Sequence, residues 1–308
     1  ALSSAASDVY KRQGRYILEA PMPAVTHLIQ SNYSVAIDGK VVREGKIERT
    51  PQKEQTLADY VDTRIGTAHS RWMIAPGPWM PFSMVKMSPD NQNKGWQAGY
   101  QYSFESIGCF SHIHEWTMAG LGMLATNGKL IYHVGDQTDP NSGYRSRVNR
   151  DTEEAPIGHY KIFLEDYGIN AEVTATTRCS FQRYTFPKDR ENSRVLIDLH
   201  IPAEYKYILP EVQLKKVSDY RIEGFAHQLS KSVWYKDGDQ EYTVHFVIEF
   251  DKPIKRFGGW LDNELNISPK KDLLQAKNLK DAGAFAEFDT SSDQVVQVRT
   301  GISLVSIT

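Results

Sequence analysis

Cysteine is almost missing from this chain: 308 residues contain two, Cys109 and Cys179. Two thiols exclude a disulfide scaffold and a paired CxxC zinc site, and leave open either one disulfide or two reduced thiols. Long apolar runs are missing too, since none reaches the roughly 18 residues that a membrane-spanning helix needs. Charge of one sign is not in excess. The 36 Lys and Arg nearly cancel the 38 Asp and Glu, for a formal net charge of −2. No basic field therefore marks the chain for nucleic acid or for an anionic membrane. The GxSxG elbow, the Gly-rich phosphate loop, the dinucleotide fingerprint and HEXXH are all absent. No charged segment followed by an apolar core opens the sequence, so no signal peptide is read in it.

What is present is strand signal. Tyr33 to Ile47 reads as a hairpin with Asp38-Gly39 at a type I′ turn. From Ala171 to Phe181 the residues alternate, which predicts one half-buried strand with Ala171, Val173, Ala175, Thr177, Cys179 and Phe181 on one face. Similar runs occur at Val195–Leu199, Val244–Phe250 and Val296–Leu304, and Asp237-Gly238 separates two more. Helical period is scarce; Ser268-Pro269 predicts one short helix through Leu273, Leu274 and Lys277. The fold class expected is all-β, a large antiparallel β-sandwich with long loops and at most one or two short helices.

Residues 1–13 (ALSSAASDVYKRQ) look like a non-native leader, translated from adapter sequence. Residues 14–56 read as a small β piece and linker, the linker being the polar stretch Glu48 to Thr56, and the main domain is expected over 57–308.

Candidate chemistry gathers between Tyr60 and Gly128, where Gly, Pro, Met, Trp and His replace clean alternation. Three clusters stand out: Asp62 to Thr67, Gly95 to Tyr100, and Ser111 to Trp116. In an extended segment His112 and His114 share a face, as two ligands of one metal ion would, with Cys109 or His69 as a third. The better-supported reading is a polar wall for sugar hydroxyls formed by His112, His114 and Glu115; a structural histidine pair is the alternative. Trp96, between Gly95 and Gly99, offers an indole face to a pyranose or, alternatively, a buried anchor. No spacing among the acidic residues selects a glycosidase acid and base.

The same clusters resemble glycoside hydrolase family 92. The resemblance runs through YVDTRIGTAHSRW, PGPWMPFSMVKMSPDNQNKGWQAGYQYS, GCFSHIHEWTMAGLG and EEAPIGHYKIFLEDYGINAEVTATTRCSFQRYTFP to VRTGISLVS, covering about Leu57 to Ser306. It implies an N-terminal sandwich of the galactose-mutarotase-like supersandwich kind, from calcium-dependent, inverting exo-α-mannosidases that trim mannose-containing glycans. It implies further that the acid, the base and most calcium contacts belong to a C-terminal (α/α)6 barrel of the same polypeptide, absent from this sequence. The chain by itself is then expected to hold no catalytic residue and no metal, and to be inactive. Trp96 matches a position that lines the leaving-sugar subsite in some members, and His112 and His114 match a Ser-His-x-His block facing the domain interface. Glu115-Trp116-Thr117-Met118 departs from the family's Leu-Ser-Gly type run, which puts linkage preference in doubt. The parent is expected to be secreted, periplasmic or at the cell surface. Two rival classes stay open: a non-catalytic carbohydrate-binding sandwich, and a structural interface domain.

Overall fold

The computed structural model describes residues 22–51, 56–68, 75–91, 99–115, 118–201, 206–233 and 238–307. The chain forms two compact units, residues 1–57 and 58–308. In the first, β1 (Ile29–Ile37) and β2 (Lys40–Arg49) make an antiparallel hairpin. Asp38 (φ 48°) and Gly39 (φ 78°) both take the positive φ that a type I′ turn requires, as the sequence predicts.

The second unit begins with β3 (Ser88–Asp90), β4 (Ser106–Ile107), β5 (Cys109–His114), β6 (Ala119–Thr126), β7 (Ser146–Glu154), β8 (Tyr160–Leu164) and β9 (Ile169–Ala175). It continues through β10 (Cys179–Thr185), β11 (Arg194–Asp198), β12 (Tyr207–Ser218), β13 (Arg221–Val233) and β14 (Gly238–Phe250). The last strands are β15 (Arg256–Leu261), β16 (Glu264–Asn266), β17 (Leu273–Leu279), β18 (Ala282–Glu287) and β19 (Val295–Ser303). A ten-stranded sheet has the order β17-β12-β13-β14-β19-β10-β9-β8-β7-β4, and a seven-stranded sheet the order β16-β15-β18-β11-β6-β5-β3. The pairings are antiparallel, and the only helical elements among the described residues are two 3-10 turns, Leu57–Tyr60 and Lys270–Asp272. The all-β sandwich is what the composition and alternation predict.

The sheets differ in burial. The ten-stranded sheet turns alternate residues inward, such as Val244, Phe246, Ile248 and Phe250 on β14, and its other face is half-exposed. Strands β5, β6, β11 and β18 of the smaller sheet are buried at every position, so both of its faces are covered. Contacts between the sheets fix the core: the Phe110 and Tyr160 rings meet edge to face at 6.2 Å, and Met123 Sδ lies 3.2 Å from Gln182 Nε2.

Two local expectations are overturned. The stretch from Ala171 to Phe181 is two strands, with Thr176 N–H bonded to the Cys179 carbonyl at 2.8 Å across the turn. That turn changes the parity, so Ser180, Gln182 and Tyr184 point inward while Cys179 is exposed. The helix expected after Pro269 is strand β17, paired with β12 through Leu214↔Leu274 and Leu209↔Leu279. Pro269 is extended (φ −66°, ψ 140°), and positive φ at Lys271 and Asp272 prevents helical propagation. Both cysteines are free, Cys109 buried in β5 and Cys179 at the surface.

Candidate functional site

The Pro-rich segment before β3 folds into a short two-armed projection from the edge of the seven-stranded sheet. Its base is Gly77, whose N–H donates to Ser88 Oγ at 2.8 Å; Trp79 and Lys86 form a bridge above it. Trp79 Nε1 also donates to Ser88 Oγ, at 3.0 Å. Lys86 N–H donates to the His112 carbonyl at 2.8 Å, which ties the projection to β5.

His114 and Glu115 meet the projection at the end of β5. The His114 ring is buried, with Nδ1 2.9 Å from the Lys86 carbonyl and Nε2 3.1 Å from the Pro89 carbonyl. Burial pushes its pKa down to about 4 against the pull of those two carbonyls. Glu115 is exposed and pairs with Lys86, whose ammonium stands 5.2 Å above the Trp79 ring; Trp79 in turn lies 6.2 Å from the His114 ring. Trp79, Lys86, His114 and Glu115 thus form one edge, an indole flanked by a cation–carboxylate pair.

Trp96 lies outside the described residues, as does His69. The two ends of its segment are described, and they are held tightly. Asn91 N–H donates to the Gly99 carbonyl at 2.7 Å, and Gln101 N–H donates to Asn91 Oδ1 at 2.6 Å. Asn91 Nδ2 bonds the Ser106 carbonyl at 2.6 Å, while the buried Arg145 reaches both Ser106 Oγ and the Asn91 carbonyl. Gly99 (φ 84°) has no room for a side chain: a Cβ there would sit 2.4 Å from Asp90 Oδ2 and 3.2 Å from His114 Cδ2. Tyr100 is buried beyond it, hydrogen-bonded to Arg150 and Glu153.

His112 is not brought to this edge. Its ring points into the core, 0% exposed, where Nδ1–H donates to the Leu121 carbonyl at 2.6 Å and Nε2 accepts from Ser180 Oγ at 2.8 Å. Both nitrogens are satisfied, and burial pushes its pKa down to about 4. In this position His112 joins β5 to β10 across the sandwich. Its hydrogen bonds and those of His114 go to different partners. In the Asp62 to Thr67 turn, Asp62 holds Arg64 through backbone and side chain, and Thr63 Oγ1 donates to the Ala155 carbonyl at 2.7 Å.

Burial raises the pKa of Asp198 well above the carboxylate range, a shift of the kind a general acid needs. Its oxygens, however, accept from the Tyr144 hydroxyl and the His200 N–H, inside the core. Glu153 and Glu287 are likewise enclosed, by Arg150 and two tyrosines and by Arg194 and Arg256 respectively. Among the described residues no three His, Cys, Asp or Glu side chains converge as a metal site would require. A cleft of about 460 Å³ opens on the outward face of the ten-stranded sheet, lined by Cys179, Phe181, Val247, Arg299 and Gly301 among others. None of the described candidate site residues, His112, His114 and Glu115, lines it.

The sequence profile of the glycosyl hydrolase family 92 N-terminal domain matches residues 60–303. The chain belongs to glycoside hydrolase family 92. Among solved structures, the GH92 α-mannosidase BT3965 from Bacteroides thetaiotaomicron is 27% identical, with a TM-score of 0.72 over 83% of this chain. Its complex with mannoimidazole matches at a TM-score of 0.70, also at 27% identity, over 82% of this chain and 33% of that one. The GH92 inverting mannosidase BT2199 from the same species shares the fold at 17% identity and a TM-score of 0.66, over 83% of this chain and 32% of that one. A search of the curated proteins gave no match. This chain spans about a third (34%) of the length of BT3965.

The family's N-terminal domain is therefore the frame for the edge described above. Sequence reading singles out His114 and Glu115 there and misses Trp79 and Lys86, which complete it. Trp79 sits in a run, PGPWMPF, whose prolines mark only a loop. The pairing of Trp79 with Lys86 becomes visible only when the two arms are folded together.

Proposed function

We propose that this chain is the N-terminal domain of a calcium-dependent, inverting exo-α-mannosidase acting on mannose-containing glycans, and that it supplies part of the substrate pocket where it meets a C-terminal catalytic domain. The observation that carries this reading is the 27% identity to a solved GH92 α-mannosidase across most of the sandwich. Inversion requires one carboxyl to protonate the leaving oxygen and a second, about 6.5–9.5 Å away, to activate a water. The buried carboxyls of Asp198, Glu153 and Glu287 are committed to internal partners, which supports placing that pair, with the calcium, in the catalytic domain. The chain's own contribution is binding: the Trp96 indole against a pyranose face, and His114 and Glu115 at the neighbouring edge, Glu115 through hydrogen bonds to hydroxyls and His114 by holding that edge in place. In this reading His112 acts from the core, by fixing β5. The parent works outside the cytoplasm, where such glycans are met.

Titration of the chain with methyl α-mannoside and methyl α-glucoside, followed by NMR, tests the binding role. Mannoside-selective shifts that weaken about tenfold in Trp96→Ala, the loss of one stacking face, are expected. Unchanged affinity in the variant would remove Trp96 from the pocket. A stability loss of about 3–5 kcal/mol would instead make it a core anchor.

A further inference from the structure

The tip of the projection carries a contradiction that a free surface does not explain. Met80, Pro81, Phe82 and Ser83 form a tight turn closed by Ser83 N–H to the Met80 carbonyl at 3.1 Å. Proline in the second position and a positive φ of 57° in the third make it a type II turn, whose third position ordinarily takes glycine. Here it holds phenylalanine, an aromatic residue in left-handed backbone and 104% exposed. Beside it Met80 is 50% exposed.

The turn is not loose. Met84 and Val85 N–H both donate to the Thr177 carbonyl, at 2.9 and 3.2 Å, and Ser83 Oγ donates to the Val85 carbonyl at 2.8 Å. Phe82 is thus held out on a rigid support, strained and unburied. A second exposed apolar group, Tyr60, Val61 and Ile65, lies on the segment joined to the projection's base by Thr63 Oγ1 to the Pro76 carbonyl at 3.3 Å. Strained backbone concentrates at sites that act on a ligand or partner, and an unburied aromatic beside exposed Met80 is available to fill a partner's pocket.

We infer that Phe82, with Met80 beside it, is the docking anchor of this domain for the C-terminal catalytic domain of a family 92 polypeptide. The occupant follows from the relatives: the matched region is the family's N-terminal domain, and BT3965 carries about two thirds of its length outside the part matched here. The inference rests on the two-domain reading given under the proposed function and names the contact that joins the domains.

The test uses the 308-residue chain and its Phe82→Asn variant, asparagine being at ease in left-handed backbone. Each is co-expressed with the BT3965 polypeptide lacking the region matched here, and the mass of the purified species is measured by native mass spectrometry and sedimentation. Wild type should retain the catalytic region as a one-to-one complex, and Phe82→Asn should weaken it by at least about thirtyfold, as for an interface hot spot. The variant alone should melt no lower than wild type. Equal retention by both forms, or no retention by wild type, overturns the inference. So does a melting temperature lowered by more than about 4 °C, which would make Phe82 part of this domain's own core. Phe82-dependent self-association without the catalytic region would assign the surface to a second copy, and loss of methyl α-mannoside binding with assembly intact would assign it to sugar. Because assembly is read as mass, a complex that forms and turns over no mannoside counts against the mannosidase reading and leaves the docking contact standing.

Discussion

His112 Nε2 lies 2.8 Å from Ser180 Oγ, a single hydrogen bond that crosses the core and ties the smaller sheet to the larger. The same ring donates from Nδ1 to the Leu121 carbonyl, so its neutral form satisfies both partners at once. A residue that reads in the sequence as part of a sugar-binding wall or, alternatively, as one of a structural pair is here a fastening within the sandwich.

His112→Leu should cost about 2–4 kcal/mol, because the Ser180 hydroxyl and the Leu121 carbonyl lose their partner while buried. That cost should depend on pH. The folded pKa of about 4 lies below the ordinary 6.5, so the unfolded chain takes up the proton first as pH falls. Wild type therefore loses stability between pH 6.5 and 4, and its advantage over the variant should shrink by about 1.4 kcal/mol per pH unit there. Urea melts of both proteins across this range measure it; a constant difference would mean that His112 is not buried and neutral.

Gly99→Ala should unfasten the neck of the Trp96 segment. The added methyl meets the Asp90 carboxylate and the His114 ring, and alanine resists a φ of 84°. A loss of about 2 kcal/mol or more is expected, together with faster tryptic cleavage after Lys94. An alanine variant that melts and cleaves like wild type would show that the neck can relax freely.

Glu287→Gln should be strongly destabilising. Glu287 takes a hydrogen bond from Arg194 Nε at 3.2 Å and pairs with Arg256 Nε at 2.8 Å, and Arg194 is buried. Removing the carboxylate strands a buried guanidinium, at a cost of about 3–5 kcal/mol. Denaturant unfolding of the variant checks this, and a change below 1 kcal/mol would place the group in water.

Sequence patterning made the half-buried strands legible. β14 and β19 face the core on one side only, so alternation marks them, and the two-residue turn marks the β1–β2 hairpin. β5, β6, β11 and β18 are covered on both faces, and a segment such as AGLGMLAT carries no period to read. The site was legible in part. His114 and Glu115 stand at an edge with Lys86 and Trp79, whereas the role of His112 depends on Ser180, 68 residues away in sequence. Phe82 gave no signal at all, because a Pro-Phe pair suits many turns and only its positive φ and exposure set it apart.

Turnover tests the central claim most directly. The purified chain is incubated with aryl and disaccharide α-mannosides and calcium, alone and with the separately expressed catalytic region of BT3965. The account predicts no mannose release by the chain alone and release by the mixture above that of the catalytic region by itself. Release by the chain alone that persists through further purification would contradict it, and would place an acid and a base among these residues.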